Sequence, residues 1–301
     1  MKLYAHAFHA MGCDNQLQLY APSSGPAQQV AQAVEAEVRR LERRYSRYRD
    51  DSVLSAINRS AGVQAVTVDE ETAALLDYAA ACHDHSDGLF DVTSGVLRRA
   101  WDFKAGRLPA PGEIEQLLPL VGWAKVQWQR PSLYLPYVGM ELDFGGVVKE
   151  YAADRAAALC RERGMASGLV NLGGDIHILG AQPDGAPWLV GIRHPRHSGM
   201  LTAISMRQGA LASSGDYERY IEIDGQRYCH ILNPHRGWPV HGLQAVTVLA
   251  DSCLVAGSAS TIAMLKGMPD GGAFLDELGL PNLRVDAQGR VSGSIQVGRG
   301  A

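Results

Sequence analysis

The stretch Asp143-Phe144-Gly145-Gly146-Val147-Val148-Lys149 combines an acid, a glycine pair and a lysine at a spacing that suits anion chemistry. Apolar–polar alternation leads into Asp143. After the glycines, Val148, Tyr151, Ala152 and Leu159 share one face at helical spacing. Glycines between strand and helix let backbone approach a ligand, and the first amides of a helix are free to meet an anion. Lys149 follows about one turn into the helix. The same pattern also serves as plain connection, so the turn alone assigns nothing.

Other polar residues able to do chemistry are dispersed: Asp91 and Thr93, Asn171 and Asp175, Ser213 and Ser214, Asp216, His230 and Thr261. His230 is the residue type that titrates nearest neutrality, though a lone histidine on a strand is also commonly structural. No Ser-x-x-Lys, Gly-x-Ser-x-Gly or His-Glu-x-x-His pattern occurs, so acyl transfer and zinc hydrolysis lack local support. A P-loop and a Gly-x-Gly-x-x-Gly dinucleotide turn are absent as well.

The elements that must position these groups alternate irregularly. The sequence predicts a strand at 14–20 and a helix from Pro26 to Tyr45, with Val30, Val34, Val38 and Leu41 as its buried stripe. Asp50, Asp51 or Ser52 caps a short helix ending near Asn58, and Thr67 to Glu70 reads as a capping box for a helix reaching His85. Another short helix spans 114–120, and residues 124–142 read as three short strands. Beyond the helix ending near Gly164 come two strands joined by Leu172-Gly173-Gly174-Asp175, then strands near 188–193, 201–207, 218–223 and 245–250. A helix at 253–266, a short helix and a hairpin close the chain. Many hairpins and few repeats indicate an α+β fold with mostly antiparallel sheets and flanking helices.

Composition narrows the function classes. The 301 residues are 46% hydrophobic and 20% charged, as in soluble globular chains. A net charge of −4 and a pI near 6.2 give no general attraction to nucleic acid or anionic membrane. No apolar run approaches the ~20 residues of a membrane span. The N-terminus lacks an apolar core of signal-peptide length, so a cytoplasmic protein is expected. The five cysteines are widely spaced and odd in number, which fits inert thiols in a reducing compartment.

In combination the motifs resemble the ApbE family, the FAD:protein FMN transferases. Met11-Gly12-Cys13, Ser46-Arg47-Tyr48 with Asp51-Ser52, Gly88 to Thr93, Asp143 to Asp154, Asn171 to Asp175, Ser213 to Tyr217 and His230 to Gly237 are similar to its blocks and occur in its order. The resemblance implies a single domain over 1–301, built of two interleaved lobes with an FAD cleft between them. It implies FMN transfer from FAD to a Thr or Ser hydroxyl of a target protein, releasing AMP, with Mg2+ on the diphosphate. Met11, Tyr48, Leu89, Phe90, Asp91, Asp143 and Lys149 would line the FAD site. The Gly146 carbonyl and Thr261 would bind the metal, and His230 would be the base.

Three departures from the family pattern stand out. Cys13 replaces Thr, Glu150 replaces the Gly after Lys149, and Gly257 replaces the metal-binding Asp four residues before Thr261. Mg2+ prefers oxygen ligands that include a carboxylate, so weak metal binding is expected, with Glu150 as a substitute ligand and Gly257→Asp as a change that restores affinity. Two alternatives therefore stay open: an FAD-binding protein with lost or weak transfer, or a metal-dependent FAD hydrolase yielding FMN and AMP.

Overall fold

Nine residue pairs join β1 (Lys2–Ala10) to β2 (Cys13–Ala21) in a computed structural model that describes residues 1–103 and 105–296. The two-residue turn is Met11-Gly12, with φ of 55° and 71°. Positive φ at both central positions gives the type I′ turn that matches strand twist. Met11 tolerates that strained region while its N–H donates to the Glu42 carboxylate at 2.5 Å. The sequence does not signal β1, whose alanines and histidines have little strand preference. Pairing along its whole length supplies what propensity does not.

From β2 the chain enters α1 (Ser24–Tyr45), whose Val30, Val34, Val38 and Leu41 are buried as the spacing predicts. Burying each such side chain stabilises the fold by about 1.5–3 kcal/mol. Ser52 accepts the Ser55 N–H and caps α2 (Val53–Arg59). After β3 (Val66–Thr67), α3 (Glu70–His85) is capped by Asp69, which accepts the Thr72 N–H at 3.0 Å. The cap therefore lies two residues later than the expected capping box, because Thr67 is held in β3. Next come α4 (Glu113–Leu117), β4 (Gln127–Gln129) and β5 (Ser132–Tyr134).

Only two of the three strands expected in 124–142 form. The remaining extended chain pairs with a side chain instead of a strand: Asn58 donates to the Leu142 carbonyl at 3.0 Å and accepts its N–H at 2.8 Å. This leads into α5 (Val148–Glu162), then β6 (Gly168–Leu172), β7 (Asp175–Gly180), β8 (Trp188–Arg193), β9 (Met200–Met206) and β10 (Gly209–Gly215). The chain closes with β11 (Tyr220–Ile223), β12 (Gln226–Cys229), β13 (Leu243–Ala250), α6 (Cys253–Lys266), α7 (Asp270–Leu278), β14 (Asn282–Asp286) and β15 (Val291–Gly293).

Eight strands form one antiparallel sheet in the order β1-β2-β6-β7-β10-β13-β14-β15. Alternate side chains point to opposite faces. Val170, Ala210, Ala212, Val246 and Val248 meet the helix-covered core, while Leu169, Ile178, Leu211 and Leu283 meet residues of β8 and β9. A third cluster joins Val96, Leu97, Trp101 and Ile114 to Ile221 and Leu232. The fold is α+β, as expected. β10 lies mid-sheet yet is not signalled by the sequence, since GALASSG is poor in β-branched and aromatic residues.

One carboxylate ties the helices to the sheet. Asp154 of α5 accepts the Cys253 and Leu254 N–H groups at 2.7 and 2.9 Å and His177 Nδ1–H of β7 at 2.8 Å. Removing it orphans the first amides of α6. Asp154→Ala should lower unfolding free energy by about 3 kcal/mol, since hydrogen bonds to charged groups are each worth ~1.5–3 kcal/mol. Chemical denaturation measures this, and a loss below ~1 kcal/mol would show that solvent replaces the cap.

Candidate active site

The glycine turn before α5 is held from both sides. Asp143 Oδ1 accepts the Gly145 N–H at 2.9 Å, and Oδ2 accepts from Arg47 Nη1 at 2.9 Å, with Arg98 Nε at 3.7 Å. Burial opposes its ionisation, but Arg98 and Arg47 prevail and hold the carboxyl below its ordinary range. Arg47 also donates to the Gly95 carbonyl at 2.9 Å. A Cβ at Gly95 would overlap that of Asp143, so this approach requires glycine. Val147 and Val148 both donate to the Phe144 carbonyl, and among the described residues no hydrogen bond reaches the Gly146 carbonyl.

Phe90 packs over this turn, its ring 3.5 Å from where a Gly146 Cβ would stand. Asp91 is buried with its carboxylate committed: Oδ1 accepts the Thr93 N–H and hydroxyl at 2.7 and 2.6 Å, and Oδ2 the Trp123 N–H at 2.9 Å. Asp91 thus acts on its surroundings through the 89–93 backbone it fixes. Leu89 is half-buried and borders a cavity of about 650 Å³ with Tyr228, Trp238 and Lys266. Tyr48 is 80% exposed, with the Arg47 guanidinium 5.7 Å from its ring centre.

Lys149 Nζ pairs with Asp175 Oδ2 at 2.7 Å. Burial disfavours the ammonium, yet Asp175 outweighs it and keeps Lys149 protonated. Asp175 follows a tight turn in which Asn171 Oδ1 accepts the Gly174 N–H at 2.9 Å. Gly173, at φ 60°, packs against Cys13, and Lys149 Cδ lies 3.8 Å from its Cβ position. Met11-Gly12-Cys13, the Asn171–Asp175 turn and Lys149 therefore meet.

His230 is half-buried at the end of β12. Its Nδ1 lies 3.3 Å from the Arg219 carbonyl, which assigns the proton to Nδ1 and leaves Nε2 as acceptor. Burial, then Arg98, Arg219 and Lys149, push its pKa down to about 4. The imidazole is therefore neutral at pH 7, with Nε2 able to accept a hydrogen bond. Arg219 reaches Gly12, its Nη2 3.9 Å from the Cβ position, and no carboxylate pairs with it among the described residues. Sequence reasoning assigned no role to Arg219, Arg98 or Arg47, although Arg47 lies within the Ser46–Tyr48 block and Arg219 lies two residues beyond the Ser213–Tyr217 block.

Thr261 Oγ1 and Ser260 Oγ each lie 2.8 Å from Ser214 Oγ, and Ser260 donates to the Gly257 carbonyl at 2.9 Å. Glu150, 7% exposed, faces Gly257. The oxygens of Glu150, Thr261 and Gly146 suit a hard divalent ion. Asp154, His177 and Cys253 also bring ligand atoms within 4.8 Å of one another, but the Asp154 oxygens are already committed to capping α6.

The family model described as "ApbE family" matches residues 11–283. The FAD:protein FMN transferase of Treponema pallidum is 30% identical over 98% of this chain and 89% of its own length. Among solved structures, the ApbE protein of Thermotoga maritima superposes with a TM-score of 0.90 at 31% identity, covering 97% of both chains. The apo flavinyl transferase ApbE of Pseudomonas stutzeri gives 0.86 at 29% identity, covering 97% of this chain and 94% of its own.

The cations around His230 yield a direct test. Arg219→Gln removes a positive neighbour, so the imidazolium forms more easily and the His230 pKa rises from about 4 toward its ordinary 6.5. An NMR titration of the histidine ring protons follows this. An unchanged value would mean that burial, Arg98 and Lys149 set it without Arg219.

Proposed function

Because the chain belongs to the ApbE family across residues 11–283, we infer that it is an FAD:protein FMN transferase. The observation that supports this best is a neutral histidine within the field of three cations, Arg98, Arg219 and Lys149. Such a cleft attracts a diphosphate and still contains a base. Phosphoryl transfer needs alignment, charge neutralisation and proton removal.

In the proposed reaction FAD lies with its diphosphate across the start of α5, between Lys149 and Arg219. Tyr48 and Met11 contact its flavin or adenine ends, with Leu89 and Phe90 as apolar walls. Asp91 and Asp143 hold the two turns that shape this site. A Thr or Ser hydroxyl of a target protein attacks the phosphorus of the FMN half, and its proton passes to His230 Nε2. The phosphoanhydride bond breaks, AMP leaves, and FMN remains attached through a phosphoester. Mg2+ held by the Gly146 carbonyl, Thr261 and a carboxylate would neutralise charge on the diphosphate.

No helix among the described residues is long and apolar enough to cross a membrane. All five cysteines are unpaired, and four of them are buried, which favours a reducing, cytoplasmic setting. The unbonded Nε2 of His230, set beside Arg98, Arg219 and Lys149, favours transfer over a binding module. Water replacing the acceptor hydroxyl would turn the same site into an FAD hydrolase, which the assay below separates by product.

FAD should bind more tightly than FMN or riboflavin, and Tyr48→Ala should weaken it; flavin fluorescence titration reports both. His230→Ala should leave FAD affinity nearly intact while transfer falls by about 10²–10⁴. Transfer is read by mass, as FMN added to a target fragment. Full transfer by the variant would make His230 structural, and free FMN without adduct would indicate hydrolysis.

A further inference from the structure

We propose that Glu150 supplies, from α5, the carboxylate of the metal site, and that Gly257 on α6 is the residue that makes room for it. The proposal rests on the flavin transferase reading and deepens it at one site. Position 257 faces Glu150 directly: a Cβ there would overlap Glu150 Cγ and lie 3.2 Å from its Cδ and Oε1. The glycine is not a helix requirement, because inside a helix it costs about 1 kcal/mol relative to alanine. What it provides is space, and the Glu150 side chain occupies that space.

One oxygen of the carboxylate so placed lacks a partner. Glu150 is 7% exposed, and its Oε2 has no hydrogen bond. An unpaired buried carboxylate is costly unless a cation or donor meets it. The nearby Lys149 ammonium is already paired with Asp175 at 2.7 Å. Two buried acids, Glu150 and Asp175, thus lie beside one lysine. A divalent cation would answer this excess of negative charge.

The surrounding oxygens fit the same ion. The Gly146 carbonyl lies in the turn that enters α5, four residues before Glu150, and Thr261 lies one turn after Gly257 on α6. Carbonyl, carboxylate and hydroxyl from two helices form a hard donor set, suited to Mg2+ or Mn2+ over softer metals. The overlap also corrects an expectation from sequence: Gly257→Asp alone cannot restore a metal site, because the new side chain meets Glu150.

The test compares wild type, Glu150→Gln, Gly257→Asp and the double variant Glu150→Gly/Gly257→Asp. Mn2+ affinity is measured by electron paramagnetic resonance with and without FAD, and melting temperature by circular dichroism. Glu150→Gln should weaken Mn2+ by about tenfold or more. Gly257→Asp should not tighten Mn2+, and it should lower the melting temperature by about 5 °C through overpacking. The double variant should recover both affinity and melting temperature.

Unchanged Mn2+ affinity in Glu150→Gln, tighter binding in Gly257→Asp alone, or a wild type that binds no Mn2+ in either condition would each overturn the proposal. Should Glu150→Gln fail to fold, the double variant decides, with recovery supporting the exchange and no recovery overturning it. FAD binding, followed separately by fluorescence, tells failure of the flavin reading from failure of the Glu150 assignment.

Discussion

The seating of α5 on α6 through Asp154 is the contact on which the site depends. A carboxylate that takes two amides of one helix and a histidine of the neighbouring strand fixes three elements at once. Charge-assisted bonds of this kind are short and directional. Lys149 and Glu150 sit at the start of α5, Asp175 begins β7, and Gly257 and Thr261 lie on the second and third turns of α6. With the Asp154 junction in place, the Lys149–Asp175 pair and the Glu150–Gly257 contact need no long loop to bring them together.

Small residues make this approach close. The α6 sequence Ala256-Gly257-Ser258-Ala259-Ser260 is entirely buried, and it packs on β10, itself built of glycine, alanine and serine apart from Leu211. The α5 face toward the core is Ala152, Ala153, Ala156 and Ala157, all fully buried. Interfaces of this kind gain little from each side chain but let backbones and hydroxyls come near. The hydroxyl chain from Thr261 through Ser214 to Ser260 is one result. Larger side chains at these positions would stabilise a simple core and would push the ligand oxygens apart.

The sequence made much of this legible, though unevenly. Periodicity located α1 and α5, because each buries a continuous stripe. It did not show β1 or β10, which form through pairing and not through propensity. The block order indicated which segments matter but not how each residue acts. Asp91 and Asp143 read as ligand contacts, whereas their carboxylates bind Thr93, Trp123, Arg47 and Gly145 and brace the turns. Arg219 was invisible because an exposed arginine carries no spacing signal. Its importance arises only when folding sets it beside Gly12 and His230.

Glu150 and Gly257 show why reading residues singly misleads. In the sequence, 107 positions apart, one looks like an added acid and the other like a lost one. In space they face each other from α5 and α6, the Glu150 side chain lying where a side chain at 257 would stand. Neither half works alone: an acid at 257 would collide with Glu150, and glycine at both positions would leave a void without charge. Glutamate also suits position 150, as it stands in the first turn of α5, where the helix end favours negative charge. The longer side chain then carries that charge across the helix interface to α6. On the proposed reading the carboxylate of the metal site comes from α5, and α6 supplies the space for it.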